Sequence, residues 1–234
     1  NEHLDIIKSY PVSTVEIGLQ SMDDGVLLMA KRGHTSLDTE NAVAQLKKRN
    51  YAIGLQMMVG LPGDDETKSL ATAHRIADLS PDFIRIYPTV VLANSRLALW
   101  YQKGKYKPWS LERCVAFVTK LYLFFQKNNI PVVRMGLQAS ENFEKGSVIL
   151  AGPYHPAFGH LVYSEIFLDM AMAIMETEKV LHKTITIKVH PRSISKMRGL
   201  KNKNIATLKK EFQIKTLEII PDPSIAEDRL AVAL

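Results

Sequence analysis

Polar side chains alternate with apolar ones near the start of the chain, in a pattern that could build a ligand site. From Val15 to Gln20, period-two alternation places Glu16, Gly18 and Gln20 on one face of a predicted strand, opposite an apolar face. A buried carboxylate or amide without partners costs free energy. We therefore expect these groups to bond to one another or to a bound ligand.

Three further segments repeat this pattern and are predicted strands: Tyr51–Gly60, Phe83–Thr89 and Val132–Gln138. The polar residues on their inner faces are Gln56, Arg85, Tyr87, Thr89, Arg134 and Gln138. Four such strands, separated by helical segments, predict an α/β fold: an incomplete parallel (βα) barrel with a ligand site in its lumen. In barrels ligands collect at the C-terminal ends of the strands. The alternative is a doubly wound sheet in which the alternation is fortuitous.

Composition limits the chemistry that these residues can perform alone. The 234 residues are 46% hydrophobic, which suffices for an ordinary core in one large or two small domains. The single cysteine, Cys114, excludes an internal disulfide and a thiolate metal site built by this chain alone, and it fits a reducing, cytoplasmic location. Because Cys114 lies on the apolar face of a helix predicted after Ser110, we expect a buried thiol.

The positive charge is concentrated in the C-terminal quarter. The formal net charge is +6, and residues 179–222 contain eleven Lys and Arg against three Asp and Glu. Such a patch favours an anionic partner, with a solvated surface as the alternative. No uninterrupted apolar run reaches the roughly 18 residues of a membrane span, so we expect no membrane partner.

We expect three segments along the chain: a barrel portion over 1–140, a connecting segment with an apolar helix over 141–180, and a basic domain over 181–234. Within the first, Asp64 is expected to cap a helix, and Tyr106 to Trp109 to form an exposed linker. The N-terminus has neither an initiating Met nor a signal peptide, so we expect a processed chain or part of a longer polypeptide. The open barrel edge would then need the missing N-terminal half, or a second copy, as its partner.

Two motifs carry a resemblance to a known family. VEIGLQSMDDGVLLMAKRGHT, followed by MVGLPGDDETKS, resembles the second half of the radical S-adenosylmethionine (SAM) core. The similar subgroup contains the oxygen-independent coproporphyrinogen oxidases and the catalytic subunit of Elongator, which modifies tRNA wobble uridines. The next stretch, IRIYPTVVLANSRLALWYQKGKYKPWSLE, looks closest to the Elongator subunit, so that the resemblance covers residues 12–135.

The resemblance implies a SAM site. Gln20 and Arg32 match positions that contact SAM in this family, and Glu16 lies on the same inner face. An amide can bond ribose hydroxyls, and a guanidinium can bind the amino-acid carboxylate. Gln56 stands where relatives often have Asp. The expected cofactor-binding residues are therefore Glu16, Gln20, Arg32 and Gln56.

The cysteine motif CxxxCxxC of the family does not occur in this sequence, and neither do the first three strands of the core. The resemblance therefore implies a 4Fe-4S cluster in the parent protein, held outside these residues. We expect this chain alone to be inactive, and the sequence identifies no catalytic residue. His155 and His160, in the segment GPYHPAFGHLVYSE, are a candidate metal or substrate pair, although two histidines five residues apart are more often structural.

The basic tail predicts strand, helix, GxxN loop, helix and strand in that order. This looks like the core of a KH domain, whose GxxG loop clamps the backbone of nucleic acids. Asn202 replaces the second glycine, and Asn adopts the left-handed region more readily than most residues. The expected RNA-binding residues are Lys196, Arg198, Gly199, Lys201, Asn202 and Lys203. A plain α/β cap with a solvated basic surface is the alternative.

These features together predict part of a radical SAM enzyme that modifies RNA, with tRNA as the expected RNA class. One alternative is a fragment of a porphyrin-type radical SAM oxidoreductase, which the shared core motifs alone would favour. The other is a nucleic-acid-binding module without catalytic activity.

Overall fold

The computed structural model describes residues 2–138, 148–178 and 184–233. These residues belong to two compact units, Asn1–Pro156 and Ala157–Leu234. Each unit has its own sheet.

The first unit is built on a parallel sheet of four strands. The strands are β1 (Thr14–Gln20), β2 (Ala52–Val59), β3 (Phe83–Pro88) and β5 (Val132–Met135). They lie in the order β1–β2–β3–β5, and all neighbours are parallel. The strands thus follow one another without the reversal that marks a doubly wound sheet. The four predicted strands are confirmed, and their order supports the partial-barrel interpretation.

Six helices and a short strand pair complete this unit in the part of it that the structure describes. The helices are α1 (Glu2–Lys8), α2 (Asp24–Met29), α3 (Ser36–Lys47), α4 (Glu66–Asp78), α5 (Arg96–Gln102) and α6 (Leu111–Lys127). Strands β4 (Val91–Leu92) and β6 (Ile149–Ala151) form an antiparallel pair. Helices α3, α4 and α6 pack against the parallel sheet. The apolar strand residues Leu55, Ile84 and Ile86 are fully buried. The opposite face of the strands carries the polar side chains described below.

Side-chain caps fix where the helices begin. Thr35 and Asp38 form the predicted capping box at the start of α3, and Ser110 caps α6 as expected. The cap of α4 was predicted wrongly: Asp65, not Asp64, accepts a hydrogen bond from the Lys68 backbone N–H. Asp64 turns inward instead, because its carboxylate bonds to the loop that precedes α4.

The stretch between α5 and α6 also differs from the prediction. Tyr106 and Trp109 are each only 9% exposed, so this segment is not an exposed linker. The Trp109 ring packs edge-on against Phe117 of α6, with the ring centroids 5.6 Å apart. The two aromatic residues are therefore part of the core of the first unit.

Gly18 and Gly54 lie on the polar face of the sheet, where neighbouring side chains leave no room for a Cβ atom. A Cβ atom at Gly54 would lie 2.4 Å from the Phe83 ring and 2.8 Å from Cγ of Glu16. A Cβ at Gly18 would lie 2.5 Å from Nε2 of Gln20. Since real Cβ contacts are longer than these distances, both positions require a residue without a side chain.

The second unit begins with α7 (Phe158–Thr177) and continues with strand β7 (Thr184–Val189). After these come a 3₁₀ turn (Pro191–Ser193), α8 (Ile194–Arg198), a second 3₁₀ turn (Leu200–Asn202) and α9 (Lys203–Glu211). Strands β8 (Thr216–Pro221) and β9 (Leu230–Ala233) follow. In the sheet order β8–β7–β9, β7 is parallel to β8 and antiparallel to β9. The predicted order of strand, helix, loop, helix and strand is present, while β9 was not predicted.

The expected domain boundaries at 140 and 180 differ from the division at 156/157. Helix α7 belongs to the second unit, because Phe167, Ala171 and Met175 pack in one core with residues of β7 and α9. The expected connecting segment 141–180 is therefore not a separate unit, and its residues 141–147, 179 and 180 lie outside the described part of the chain.

Helix α7 is 20 residues long with a mean hydropathy of 1.3, which would suit a membrane span by length and composition alone. Four of its buried side chains, Phe167, Leu168, Ala171 and Met175, lie in the hydrophobic core of the second unit.

We predict that Gly54→Ala lowers the free energy of unfolding by about 1–3 kcal/mol, because the new methyl group would overlap the Phe83 ring. Urea unfolding followed by circular dichroism measures this change. The same substitution in a Phe83→Ala background should cost less, since the ring is then gone. Equal costs in the two backgrounds would contradict the proposed contact.

Candidate functional site

Glu16 connects three strands across the polar face of the parallel sheet. Its Oε2 atom accepts a hydrogen bond of 2.7 Å from Nε2 of Gln56 on β2. Its Oε1 atom accepts one of 2.8 Å from Nη2 of Arg85 on β3. The Glu16 and Arg85 side chains are 29% and 27% exposed, so this ion pair adds little stability by itself. Its main effect is to fix three side chains on the inner face.

Arg85 is held from a second side as well. A hydrogen bond with the Tyr87 side chain and the nearby charge of Glu16 raise the pKa of Arg85. Tyr87 lies two residues further along β3 and therefore on the same face. Among the described residues, the buried Nε of Arg85 has no hydrogen-bond partner. The alternation in FIRIYP placed Arg85 on this face, but the sequence did not single it out as a site residue.

Gln20 has an uncommon conformation at the C-terminal end of β1. Its backbone φ is 57°, in the left-handed region, and the register with β2 shifts between Ile17 and Gln20. Its side chain folds over Gly18, on the inner face, and the residue is only 7% exposed. Its Oε1 atom is buried and finds no hydrogen-bond partner within the described part of the chain.

Both features of Gln20 carry a free-energy cost. A non-glycine residue held in the left-handed region costs roughly 1–3 kcal/mol, and an unpaired buried acceptor costs a similar amount. Strained backbone and unpaired buried polar atoms concentrate at functional sites. Gln20 therefore suits a ligand that brings a hydrogen-bond donor to the end of β1.

A tight loop follows β2 at the same end of the sheet. Gly60 and Gly63 have φ values of 76° and 77°, which favour glycine. Oδ2 of Asp64 accepts hydrogen bonds from the Gly60 N–H, at 2.8 Å, and from the Ser69 hydroxyl, at 2.7 Å. The Tyr106 hydroxyl donates to the Gly60 carbonyl at 2.6 Å. Both backbone groups of Gly60 are thus hydrogen-bonded to side chains.

Burial dominates the titration of the groups around this loop. It raises the pKa of Asp64, which is the largest effect on that carboxyl. It also raises the pKa of the Tyr106 hydroxyl and raises that of the Cys114 thiol to about 12. The predicted buried thiol is confirmed: Cys114 is fully buried and protonated at neutral pH, so it is not a nucleophile.

Arg32 is not brought into the Glu16 network. It lies after α2, between Lys31 and Gly33, which both have positive φ values, and it is exposed. Its guanidinium makes no hydrogen bond or ion pair with another residue in the described ranges. His34 nearby approaches the Leu19 carbonyl at 3.3 Å, which ties this basic loop to the C-terminal end of β1.

An open cleft of about 380 Å³ lies beside the basic loop. Its lining residues are Asp24, Leu27, Leu28, Lys31, Gly33, His34, Thr35 and Asp38.

The structure groups three of the four expected cofactor residues on the inner face, namely Glu16, Gln20 and Gln56. The fourth, Arg32, is on a loop at the rim.

Positive φ values recur in the loop of the second unit that was expected to bind RNA. Gly199, Lys201 and Asn202 have φ values of 70°, 52° and 62°. A Cβ at Gly199 would lie 2.6 Å from Oδ1 of Asn204, a buried side chain that donates to the Ser164 carbonyl at 2.7 Å. Glycine is thus required at the first position of the GxxN loop.

The charged side chains around this loop differ in accessibility. Arg198, Lys201 and Lys203 are exposed, while the Lys196 ammonium lies 5.1 Å from the centre of the Tyr163 ring. Lys203 also interacts with Glu165, whose pKa is raised first by burial and then by the neighbouring Asp169, while Lys203 lowers it. Arg198 and Lys201 are therefore the cations most available to an anionic partner.

Comparisons with known proteins identify the relationship. Residues 81–167 match the Radical_SAM C-terminal domain family. The chain is 32% identical over 108 residues to a tRNA uridine(34) acetyltransferase of Methanocaldococcus jannaschii, covering 45% of this chain and 20% of that protein. It is 29% identical over 122 residues to Elongator complex protein 3 of Saccharomyces cerevisiae, covering 51% of this chain and 22% of that protein. The chain therefore resembles radical SAM proteins of the Elp3 type.

A solved structure supports the same fold. The archaeal Methanocaldococcus infernus Elp3 with an N-terminal deletion superposes with a TM-score of 0.60 at 22% identity, over 76% of this chain and 39% of that structure. The expected resemblance to radical SAM proteins of the Elongator group is confirmed. The chain spans about a fifth of the length of the two relatives named above.

Within the described ranges, no group of three or more His, Cys, Asp or Glu side chains could hold a metal ion. His155 and His160 fall in different units, 1–156 and 157–234, and each interacts with other groups. A metal or substrate role for this pair stays a prediction.

We predict that Tyr106→Phe lowers the free energy of unfolding by about 1–2 kcal/mol, because the Gly60 carbonyl would lose its buried donor. Urea unfolding measures this loss. Tyr101→Phe is the control: that residue is 39% exposed, and its substitution should change stability by less than about 0.5 kcal/mol. Similar losses in the two variants would count against the loop contact.

Proposed function

We propose that this chain is part of a radical SAM enzyme that modifies RNA, with tRNA as the RNA class and the cytoplasm as its location. The chain would contribute part of the SAM site and an RNA-binding tail. The similarity to a tRNA uridine(34) acetyltransferase supports the RNA class. The observation that carries the SAM assignment is Gln20, a strained and buried amide with an unpaired acceptor on the inner face.

The residues of the inner face fit the cofactor. Oε1 of Gln20 would accept a hydrogen bond from a ribose hydroxyl, and Glu16 and Gln56 would keep the inner face polar next to the nucleoside. Arg32, exposed on the rim loop and ion-paired to nothing in the described ranges, would bind the amino-acid carboxylate. When SAM is bound and reduced by an iron–sulfur cluster, it supplies the radical chemistry of the family.

The cluster itself would be held by residues outside this chain. Its one cysteine is buried in the core, with a raised pKa, and a cluster site needs about three or four thiolates. This is why we propose that the missing N-terminal half of the barrel, or another polypeptide, supplies the ligands. This chain alone would bind SAM but would not catalyse its cleavage.

The GxxN loop supports the RNA part of the proposal. Helix α9 begins directly after Asn202, which is left-handed and gives the helix no side-chain cap. The Lys203 N–H at the start of α9 donates to the Leu200 carbonyl, so the exposed cations Arg198 and Lys201 beside the loop are the groups that would attract a phosphate. In this proposal the second unit is KH-like, and its loop contacts the RNA backbone.

We predict that this chain binds S-adenosylhomocysteine and that Gln20→Asn weakens the affinity about two- to tenfold. The shorter amide keeps the left-handed backbone but cannot reach over Gly18, which removes one hydrogen bond. Isothermal titration calorimetry measures the dissociation constants. Gln126→Asn, on the exposed surface of α6, is the control and should bind as the unaltered chain does. Failure of the unaltered chain to bind would overturn the SAM assignment.

For the tail, we predict that Arg198→Gln combined with Lys201→Gln weakens binding to bulk tRNA. The slope of log K against log salt should fall by roughly 1.5, since each lost phosphate contact contributes about 0.7–0.9. Fluorescence anisotropy at several salt concentrations measures both quantities.

The matched control is Lys210→Gln combined with Lys215→Gln, which removes the same charge from exposed positions outside the loop. Equal effects of the two pairs would indicate a diffuse basic surface rather than a loop contact. No salt-dependent binding by the unaltered chain would favour the porphyrin-type alternative. Binding to tRNA without any binding of S-adenosylhomocysteine would favour the module without catalytic activity.

A further inference from the structure

Two arginines lie side by side on the inner face of the parallel sheet. Arg85 on β3 and Arg134 on β5 are register partners. Neighbouring strands are about 4.8 Å apart, and register partners point to the same face. The register thus places both arginine side chains, from neighbouring strands, on the face that carries Glu16, Gln20 and Gln56.

The carboxylate of Glu16 balances the positive charge of only one of the two arginines. Glu16 pairs with Arg85 at 2.8 Å. Arg134 bonds instead to a neutral acceptor, Oε1 of Gln138, at 3.3 Å, and no carboxylate of a described residue lies within 4 Å of it. The Nε atom of Arg85 is buried and lacks a partner among the described groups. One unpaired guanidinium donor, beside a second guanidinium that has no carboxylate partner among the described residues, favours a bound anion.

A β-bulge produces this pairing. Ile84 pairs with Val132, but the next residue, Arg85, pairs with Arg134, so that Val133 is skipped. Without the bulge Arg85 would lie opposite Val133. The skipped valine, which the alternation predicted on the packed outer face, is 54% exposed. Bulges change the direction of side chains and are common next to functional sites. Here the bulge also leaves the apolar side chain of Val133 exposed.

We propose that Arg85 and Arg134 together bind an oxyanion, a phosphate or a carboxylate, on the ligand that occupies the inner face. The planar guanidinium forks match both groups and bond them through two N–H donors each. The inference rests on the proposed function, in which the oxyanion belongs either to a nucleotide of the RNA substrate or to the amino-acid part of SAM, whose carboxylate these two arginines would then bind in place of Arg32.

Two ligand pairs separate these sources. Uridine 5′-monophosphate and uridine differ in a phosphate, while S-adenosylhomocysteine and 5′-methylthioadenosine differ in the amino-acid part with its carboxylate. For the unaltered chain, calorimetry should show roughly tenfold tighter binding of the charged member in one of the two pairs, as expected for a charge-assisted hydrogen-bonded contact. In Arg134→Gln this difference should fall to about threefold or less. The pair that responds identifies the source of the oxyanion.

Two further variants make the result specific. Arg229→Gln, in the second unit, removes one charge from an exposed site and should leave the difference unchanged. Arg134→Lys keeps the charge but not the fork, and should give an intermediate value. Thermal unfolding by circular dichroism establishes that each variant is folded.

The proposal is overturned if neither ligand pair shows a difference for the unaltered chain, or if Arg134→Gln and Arg229→Gln reduce the difference equally. Failure of the proposed function has another signature. In that case S-adenosylhomocysteine and tRNA do not bind at all, while the phosphate-dependent difference and its loss in Arg134→Gln persist.

Discussion

The polar face of the sheet depends on the carboxylate of Glu16. Its two oxygens accept from Gln56 and Arg85 on two further strands, at 2.7 and 2.8 Å. Without this acceptor, the Arg85 guanidinium would lose the ion pair that orients it on this face. The orientation of Gln56 would be lost as well. One carboxylate therefore lets a parallel sheet keep a row of polar groups on the face away from its helices.

The space over that row depends on small residues and on a rigid rim. Gly18 and Gly54 leave room for the Gln20 amide and the Phe83 ring, respectively. At the rim, Asp64 and Tyr106 hold the N–H and C=O of Gly60, so the loop after β2 cannot collapse onto the face. A site that is already restricted in this way loses less conformational entropy when a ligand binds. In the proposed function, the unpaired acceptor of Gln20 is the group that a ligand would satisfy.

The alternation of apolar and polar residues was sufficient to predict the four strands, their parallel arrangement and the shared face of Glu16, Gln20 and Gln56. It could not predict the bulge at Val133, because a bulge arises from pairing with another strand and not from the local pattern. Nor could it predict that Tyr106 is buried, since that depends on a hydrogen bond to Gly60, 46 residues earlier. The assignment of α7 to the second unit likewise follows from long-range packing with β7 and α9.

The central claim is that the inner row is one continuous surface for a nucleoside-bearing ligand. It is tested most directly by titrating the ¹⁵N-labelled chain with S-adenosylhomocysteine and following side-chain N–H signals by NMR. We expect the amide signals of Gln20 and Gln56 and the Nε–H signal of Arg85 to shift together with one dissociation constant, while Gln126 stays unchanged. Shifts confined to side chains outside the inner face, with Gln20 and Gln56 unaffected at saturation, would contradict the account.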